Sequence, residues 1–355
     1  MSDVLFWALG LFAVLGALDR IFGNRYGLGR EFENGIQTMG SLMLAMAGIV
    51  TLAPVLAAAL KPVVVPVFRF LGADPAMFAG SILACDMGGG ALAKELTEDP
   101  RAAALGGVIT GAMLGATVVF TIPVALGTLR QEDRPAMAKG ILCGVVTIPV
   151  GILVGGLTAG FPLLMVLKNL IPIVVIAGLI AFGLWKSEEA MIRGFTAFGQ
   201  FVVILSGLGL AAGILQSLTG FQILPGMAPI STAIETVGAI AVVLAGAFPL
   251  VFVLTKVLKK PLSALGRKLK INETAAAGLI ATLANSIATF SLVRDMDERG
   301  KVLNIAFAVS GAFVFGDHLG FAAGFAPEMV IPLILGKLAG GVAALVLALF
   351  LTKED

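Results

Sequence analysis

The chain has 355 residues, 58% hydrophobic and 13% charged, with a mean hydropathy of +1.02; an average soluble domain carries roughly 25% charged residues, so a soluble globular protein is excluded. A formal net charge of +2 offers no surface for a polyanion, which sets nucleic acid aside as a partner. Cys85 and Cys143, the two cysteines, both lie in apolar segments and supply neither a disulfide framework nor a metal set with ligand spacing, so no metal or other cofactor is expected.

Apolar segments follow one another near 4–22, 36–60, 77–93, 102–129, 140–160, 164–185, 195–218, 233–255, 274–293, 302–325 and 329–351. Most reach the roughly 20 residues that a helix needs to cross a bilayer core. The first has an acid before it and no small-residue cleavage site after it, so it reads as a span and not as a removable signal. The expected fold is an all-α integral membrane protein, one polytopic domain over 1–355 with about 9–11 membrane segments. The bilayer is its environment, and a homo-oligomer is compatible with this composition.

Shifting the chain by 198 residues lays Ile36, Thr38 and Gly40 on Ile234, Thr236 and Gly238. The same shift lays Ala79-Gly80 on Ala277-Gly278, and Asp99 and Arg101 on Asp297 and Arg299. Two related halves are predicted, about 30–130 and 228–328. The segments 77–93 and 274–293 are short and carry Asp86-Met87-Gly88-Gly89-Gly90 and Asn285-Ser286 midway, which suggests broken or re-entrant hairpins. If both re-enter, the basic loops at 20–30, 130–139, 186–193, 256–270 and 294–301 fall on one side, as the positive-inside rule requires. The N-terminus is then outside, the C-terminus cytoplasmic, and the halves form an inverted repeat, the arrangement of many secondary transporters.

An ionisable group in the bilayer costs about 2.5 to 3.5 kcal/mol even on lenient scales, so those inside apolar segments are candidates for handling a polar cargo. Asp86 precedes three glycines, where backbone can approach a small cation; a carboxylate capping the second arm of the hairpin is the competing use. Glu235 faces inward as a third acid or sits at the interface at a helix start. Asn285, with Ser286 beside it, binds an alcohol or ammonium, or joins helices in lipid. Asp317-His318 contains the only histidine and lies between Gly316 and Gly320, which makes a proton relay conceivable beside plain substrate binding. Lys337 snorkels or neutralises Asp317 or Glu328. Phe120, Phe315 and Phe321 are candidates for cation–π contact. A few carboxylates and amides with little buried positive charge favour a small cationic or zwitterionic substrate.

Several segments carry a resemblance to a known family. They are Met77-Phe78-Ala79-Gly80-Ser81-Ile82-Leu83-Ala84-Cys85-Asp86-Met87-Gly88-Gly89, Lys94-Glu95-Leu96, Phe120-Thr121-Ile122-Pro123-Val124-Ala125-Leu126-Gly127, Ala281-Thr282-Leu283-Ala284-Asn285 and Phe315-Gly316-Asp317-His318-Leu319-Gly320-Phe321-Ala322-Ala323. Over nearly its whole length the chain resembles the ethanolamine-utilization permeases of the bacterial inner membrane. The resemblance implies a multi-pass permease that admits ethanolamine, a primary ammonium bearing a hydroxyl, for cells that degrade it with a cobalamin-dependent lyase. Ser286 and Ile287 depart from that pattern, and the 219–232 loop is shorter than expected. The resemblance brings no site assignments with it.

A carrier working by alternating access around Asp86, Asn285 and Asp317 is therefore the leading expectation. An exchanger coupled to H⁺ or Na⁺ through Asp317 and His318 is the alternative. An intramembrane aspartyl protease is the remote one, because Val314 stands where a Gly-x-Gly-Asp motif needs its first glycine.

Overall fold

A computed structural model describes residues 2–352, and within them the side chains of residues 3–257 and 266–352. The described residues form helices joined by turns and short loops, with no strand. Two helices open the chain, α1 (Ser2–Ile21) and α2 (Leu28–Phe70). The second runs for 43 residues through Pro54, Pro62 and Pro66, a use of proline that a membrane helix tolerates where neighbouring groups satisfy the freed carbonyls.

Next comes a re-entrant hairpin. Helix α3 (Ala76–Ile82) enters, the chain breaks through a single 3₁₀ turn at Cys85–Met87, and α4 (Gly89–Leu96) returns packed against α3. Gly88 makes the reversal at φ +90°, and a Cβ there would overlap Ile49, so the position requires glycine. The two arms meet at the mouth, where Thr97 Oγ1 donates to Asp74 Oδ2 at 2.8 Å. The two ends of the hairpin therefore lie side by side.

Helix α5 (Pro100–Ala104), capped by Asp99 on the Arg101 amide, runs into π-helical turns over Leu105–Gly115 and Thr117–Thr121 and then α6 (Ile122–Thr128). The widened stretch lies directly against the hairpin: a Cβ at Gly115 would overlap the Leu83 carbonyl. Three spans follow, α7 (Arg134–Thr158), α8 (Leu163–Lys186) and α9 (Glu188–Thr219). Only Ser187 separates the last two, so the basic loop expected over 186–193 is mostly helix.

Helix α10 (Ile230–Leu269) extends well beyond its apolar part. The basic loop expected over 256–270 is therefore its helical end, with side chains 258–265 outside the described residues. A second hairpin follows, α11 (Glu273–Ala284) and α12 (Ser286–Leu292), broken at Asn285. Its mouth is closed by Asn272, whose amide N–H donates to Asp297 Oδ1 at 2.8 Å and whose Nδ2 donates to the Asp295 carbonyl at 2.9 Å. Asp297 caps α13 (Glu298–Gly311), which unwinds at Ala312–Gly316 before α14 (Asp317–Phe325) resumes the span. Helix α15 (Val330–Leu351) ends the chain's apolar sequence.

Among the described residues, eight helices are long and apolar enough to cross a membrane. The broken pair α13–α14 and the two hairpins are shorter pieces of the same apolar sequence. Helices α2 and α10 pack antiparallel, with Gly27 near Phe252, Gly35 against Leu244 and Ala245, and Gly238 near Met39.

Candidate functional site

The unwound segments converge. The Phe313 amide donates to the Thr282 carbonyl at 3.1 Å and that of Phe315 to the Leu283 carbonyl at 2.9 Å, so the break in α13–α14 pairs with the break in the second hairpin. These bonds satisfy backbone groups that lipid could not. Phe313 is held at φ +61°, a left-handed conformation rare for a bulky residue.

Around these breaks lies a cavity of about 380 Å³. Asp86 and Met87 enter it from the first hairpin, Asn285 from the second and Asp317 and His318 from the start of α14, with Phe120, Phe248 and Phe313 among its apolar walls. Four of the five residues singled out from sequence, Asp86, Asn285, Asp317 and His318, thus share one space. Glu235, the fifth, is exposed on α10 and does not line it.

Asp86 supplies no side-chain cap to α4, whose N-cap is Gly88. Its side chain is 13% exposed, and Oδ1 lies 3.7 Å from His318 Nε2. Asp317 is near enough to Asp86 for the two carboxylates to act on each other. Asn285 does cap its helix: Oδ1 accepts from the Ile287 amide at 2.7 Å, which leaves its NH₂ as the group available to the cavity. The His318 ring is buried, 5.2 Å from that of Phe313, and Phe313 meets Phe120 edge-on at 5.4 Å. Of the phenylalanines expected, Phe120 lines this cavity, Phe315 does not, and Phe321 lines another.

That second cavity, about 270 Å³, is lined by Cys85, Gly88, Lys94, Thr232, Thr236, Phe321 and Phe325, among others. The two are stacked along the same helices. On α2 the first takes Thr38 to Ala45 and the second Met46 to Pro54; on α10 the order reverses, with Phe248 in the first and Thr232 and Thr236 in the second. The tip of the first hairpin forms the partition between them, with Cys85 on one side and Asp86 on the other. In the wall of this second cavity, Lys94 Nζ sits 3.6 Å above the Phe325 ring, which stacks on Phe321 at 4.7 Å.

Lys337 neither snorkels nor pairs with Glu328. It is 1% exposed, its Nζ donates to the Ala112 carbonyl at 2.6 Å, and it lies within electrostatic reach of Asp86 and Cys85. A lysine one-third of the way along the last apolar segment was the available signal. The partner, a backbone carbonyl of the π-helical stretch, carries no mark in sequence.

Cys85 was also passed over. Its Sγ, a carboxylate oxygen of Asp86 and a ring nitrogen of His318 lie within 4.8 Å of one another. Ligand spacing along the chain gave no hint of this, because the fold brings the third member from the opposite half.

Comparison with known proteins agrees with the resemblance read from the sequence. The chain is 57% identical over 354 residues to the probable ethanolamine permease EutH of Listeria monocytogenes, covering 100% of this chain and 95% of that protein. It is 45% identical over 394 residues to the probable ethanolamine permease EutH of Escherichia coli, covering 100% and 97%. A Bacillus subtilis relative, the uncharacterized protein YxeR, is 50% identical over 355 residues, covering 100% and 96%. No solved structure matches the chain. The sequence model of the family described as ethanolamine utilisation protein, EutH, matches residues 1–351, and the chain belongs to that family of multi-pass membrane proteins.

Proposed function

We propose that this protein is a permease for ethanolamine that binds the ammonium alcohol in the 380 Å³ cavity and works by alternating access. The observation that carries the reading is the convergence there of groups from both hairpins and the broken span. Asp86 and Asp317 offer negative charge to the ammonium, and the faces of Phe120, Phe248 and Phe313 offer cation–π attraction worth about 0.5 to 2 kcal/mol. The NH₂ of Asn285 is placed to donate to the hydroxyl. Relatives named as probable ethanolamine permeases support the same substrate.

The same proposal takes residues 30–130 and 228–328 as an inverted repeat, the arrangement on which alternating access would turn. Asp74 and Asn272 close the two hairpin mouths, and Asp99 and Asp297 cap the helices that follow, each pair at the 198-residue shift that relates the halves in sequence. The antiparallel pairing of α2 with α10 is what an inverted repeat produces at its centre.

The test is uptake of labelled ethanolamine at acidic external pH, where entry of the neutral amine is negligible. Intact protein is compared with Asp86→Asn and Asp317→Asn at matched membrane abundance. Loss of saturable uptake in either variant is expected; unchanged uptake in both would sink the site. The contact between Asp86 and His318 favours a second reading, transport coupled to protons. Uptake that follows a pH gradient at fixed concentration of the ammonium form would select it.

A further inference from the structure

The Cys85 thiol has no part in the transport path just described, yet it is held against two groups that do. Its Sγ is 4.0 Å from Asp86 Oδ1, which is itself 3.7 Å from His318 Nε2, and the set spans no more than 4.8 Å. Tetrahedral coordination, with metal–sulfur near 2.3 Å and metal–nitrogen or –oxygen near 2.0–2.2 Å, separates ligand atoms by roughly 3.3–3.6 Å. The three atoms are within side-chain adjustment of that arrangement. The His318 imidazole is also left with unused capacity, since Nδ1 has no hydrogen-bond partner and Nε2 stands beyond hydrogen-bond distance of Asp86. Buried ring nitrogens are normally satisfied.

The geometry points to a binding site for a thiophilic divalent cation, such as Zn²⁺, in the partition between the two cavities, held by Cys85, Asp86 and His318. Thiolate and imidazole select such an ion over Mg²⁺, Ca²⁺ or Na⁺. Three protein ligands leave the fourth position for a water from the cavity. On binding, the Cys85 S–H bond breaks as the S–metal bond forms, and its proton passes to cavity water, while His318 binds as the neutral ring through a nitrogen lone pair. The ion's two positive charges are then matched by one thiolate and one carboxylate. Lys337 lies within electrostatic reach of Cys85, Asp86 and His318, and its positive charge opposes the ion; its Nζ donates to the Ala112 carbonyl and, among the described residues, makes no hydrogen bond to Asp86.

Bound there, the ion ties the tip of the first hairpin to α14. This blocks ethanolamine uptake, a consequence that rests on the permease reading, whereas the binding itself does not. Co²⁺ titrated into the purified full-length protein is expected to raise a thiolate-to-Co²⁺ charge-transfer absorption that saturates at one ion per chain and is displaced by Zn²⁺. Cys143→Ser is expected to keep the band and Cys85→Ser to lose it. In Cys85→Ser the Zn²⁺ concentration that halves uptake should rise about tenfold or more, the scale on which metal sites respond to lost support.

Absence of the band in intact protein, or its loss in Cys143→Ser, would overturn the site. Since the chain has two cysteines, intact protein and Cys143→Ser decide the matter even if Cys85→Ser fails to fold. A band with uptake unimpaired at saturating Zn²⁺ would overturn the clamp. Failure of the titration leaves the permease reading standing, and failure of uptake leaves the titration interpretable.

Discussion

Thr97 and Asp74, at opposite ends of the first hairpin, are hydrogen-bonded at 2.8 Å. Asp74 also accepts from the Ala76 amide at 2.8 Å, and its own amide donates to Asn169 Oδ1 on α8 at 2.7 Å. One carboxylate thus closes the mouth and starts α3, while its backbone moors the hairpin to a span. Asp74→Ala is expected to lower stability by about 1–3 kcal/mol, as loss of hydrogen bonds to a charged group does. Thr97→Val removes the closing bond and the longer one, 3.2 Å, that Thr97 Oγ1 accepts from the Asp99 amide, and should cost about 1 kcal/mol. Thermal unfolding in detergent checks both, and equal losses would contradict the hierarchy.

Lys337→Met should destabilise the protein by about 1–3 kcal/mol, because it leaves the buried Ala112 carbonyl without its donor. It also removes the positive charge within reach of Asp86. Unfolding temperature and the yield of monodisperse protein report the loss. Were Lys337 snorkelling to the surface, the substitution would be near neutral.

Phe313→Ala removes one aromatic wall of the cavity. Loss of a cation–π contact of about 0.5 to 2 kcal/mol corresponds to roughly a twofold to thirtyfold rise in the KM for ethanolamine. Phe313→Gly should show the same rise while relieving the backbone at φ +61°, so that it unfolds at a higher temperature than Phe313→Ala. Uptake kinetics and melting of the pair separate the wall from the strain.

Glu235→Gln should leave uptake within about twofold of the intact protein, since the side chain is exposed and outside both cavities. A tenfold loss would return Glu235 to the substrate path.

How much of this was legible beforehand follows from what a linear sequence encodes. Depth in the membrane is encoded well, because a polar residue inside an apolar run has few uses; that is why Asp86, Asn285, Asp317 and His318 reach one cavity. Azimuth is encoded poorly. Thr232 and Thr236 line a cavity, while the roughly 100° that a helix turns per residue carries Glu235 off their face. Helix continuation past the membrane is also hidden, since the polar end of α10 reads as a loop until it is seen to go on to Leu269. Least legible were contacts between distant parts of the chain, such as Lys337 with Ala112 and Cys85 with His318, where one partner is a carbonyl or a lone thiol.

The partition at Cys85 and Asp86 also bears on how the membrane potential acts on this protein. Adjacent residues face different cavities there, and consecutive Cα atoms are only about 3.8 Å apart. With water in both cavities, the insulating layer shrinks from the roughly 30 Å of a bilayer core to the thickness of a hairpin tip. The electric field is concentrated in that layer. On the permease reading proposed above, a monovalent cation that crossed this partition would collect most of the transmembrane voltage in a single short step, up to about 2.3 kcal/mol per 100 mV.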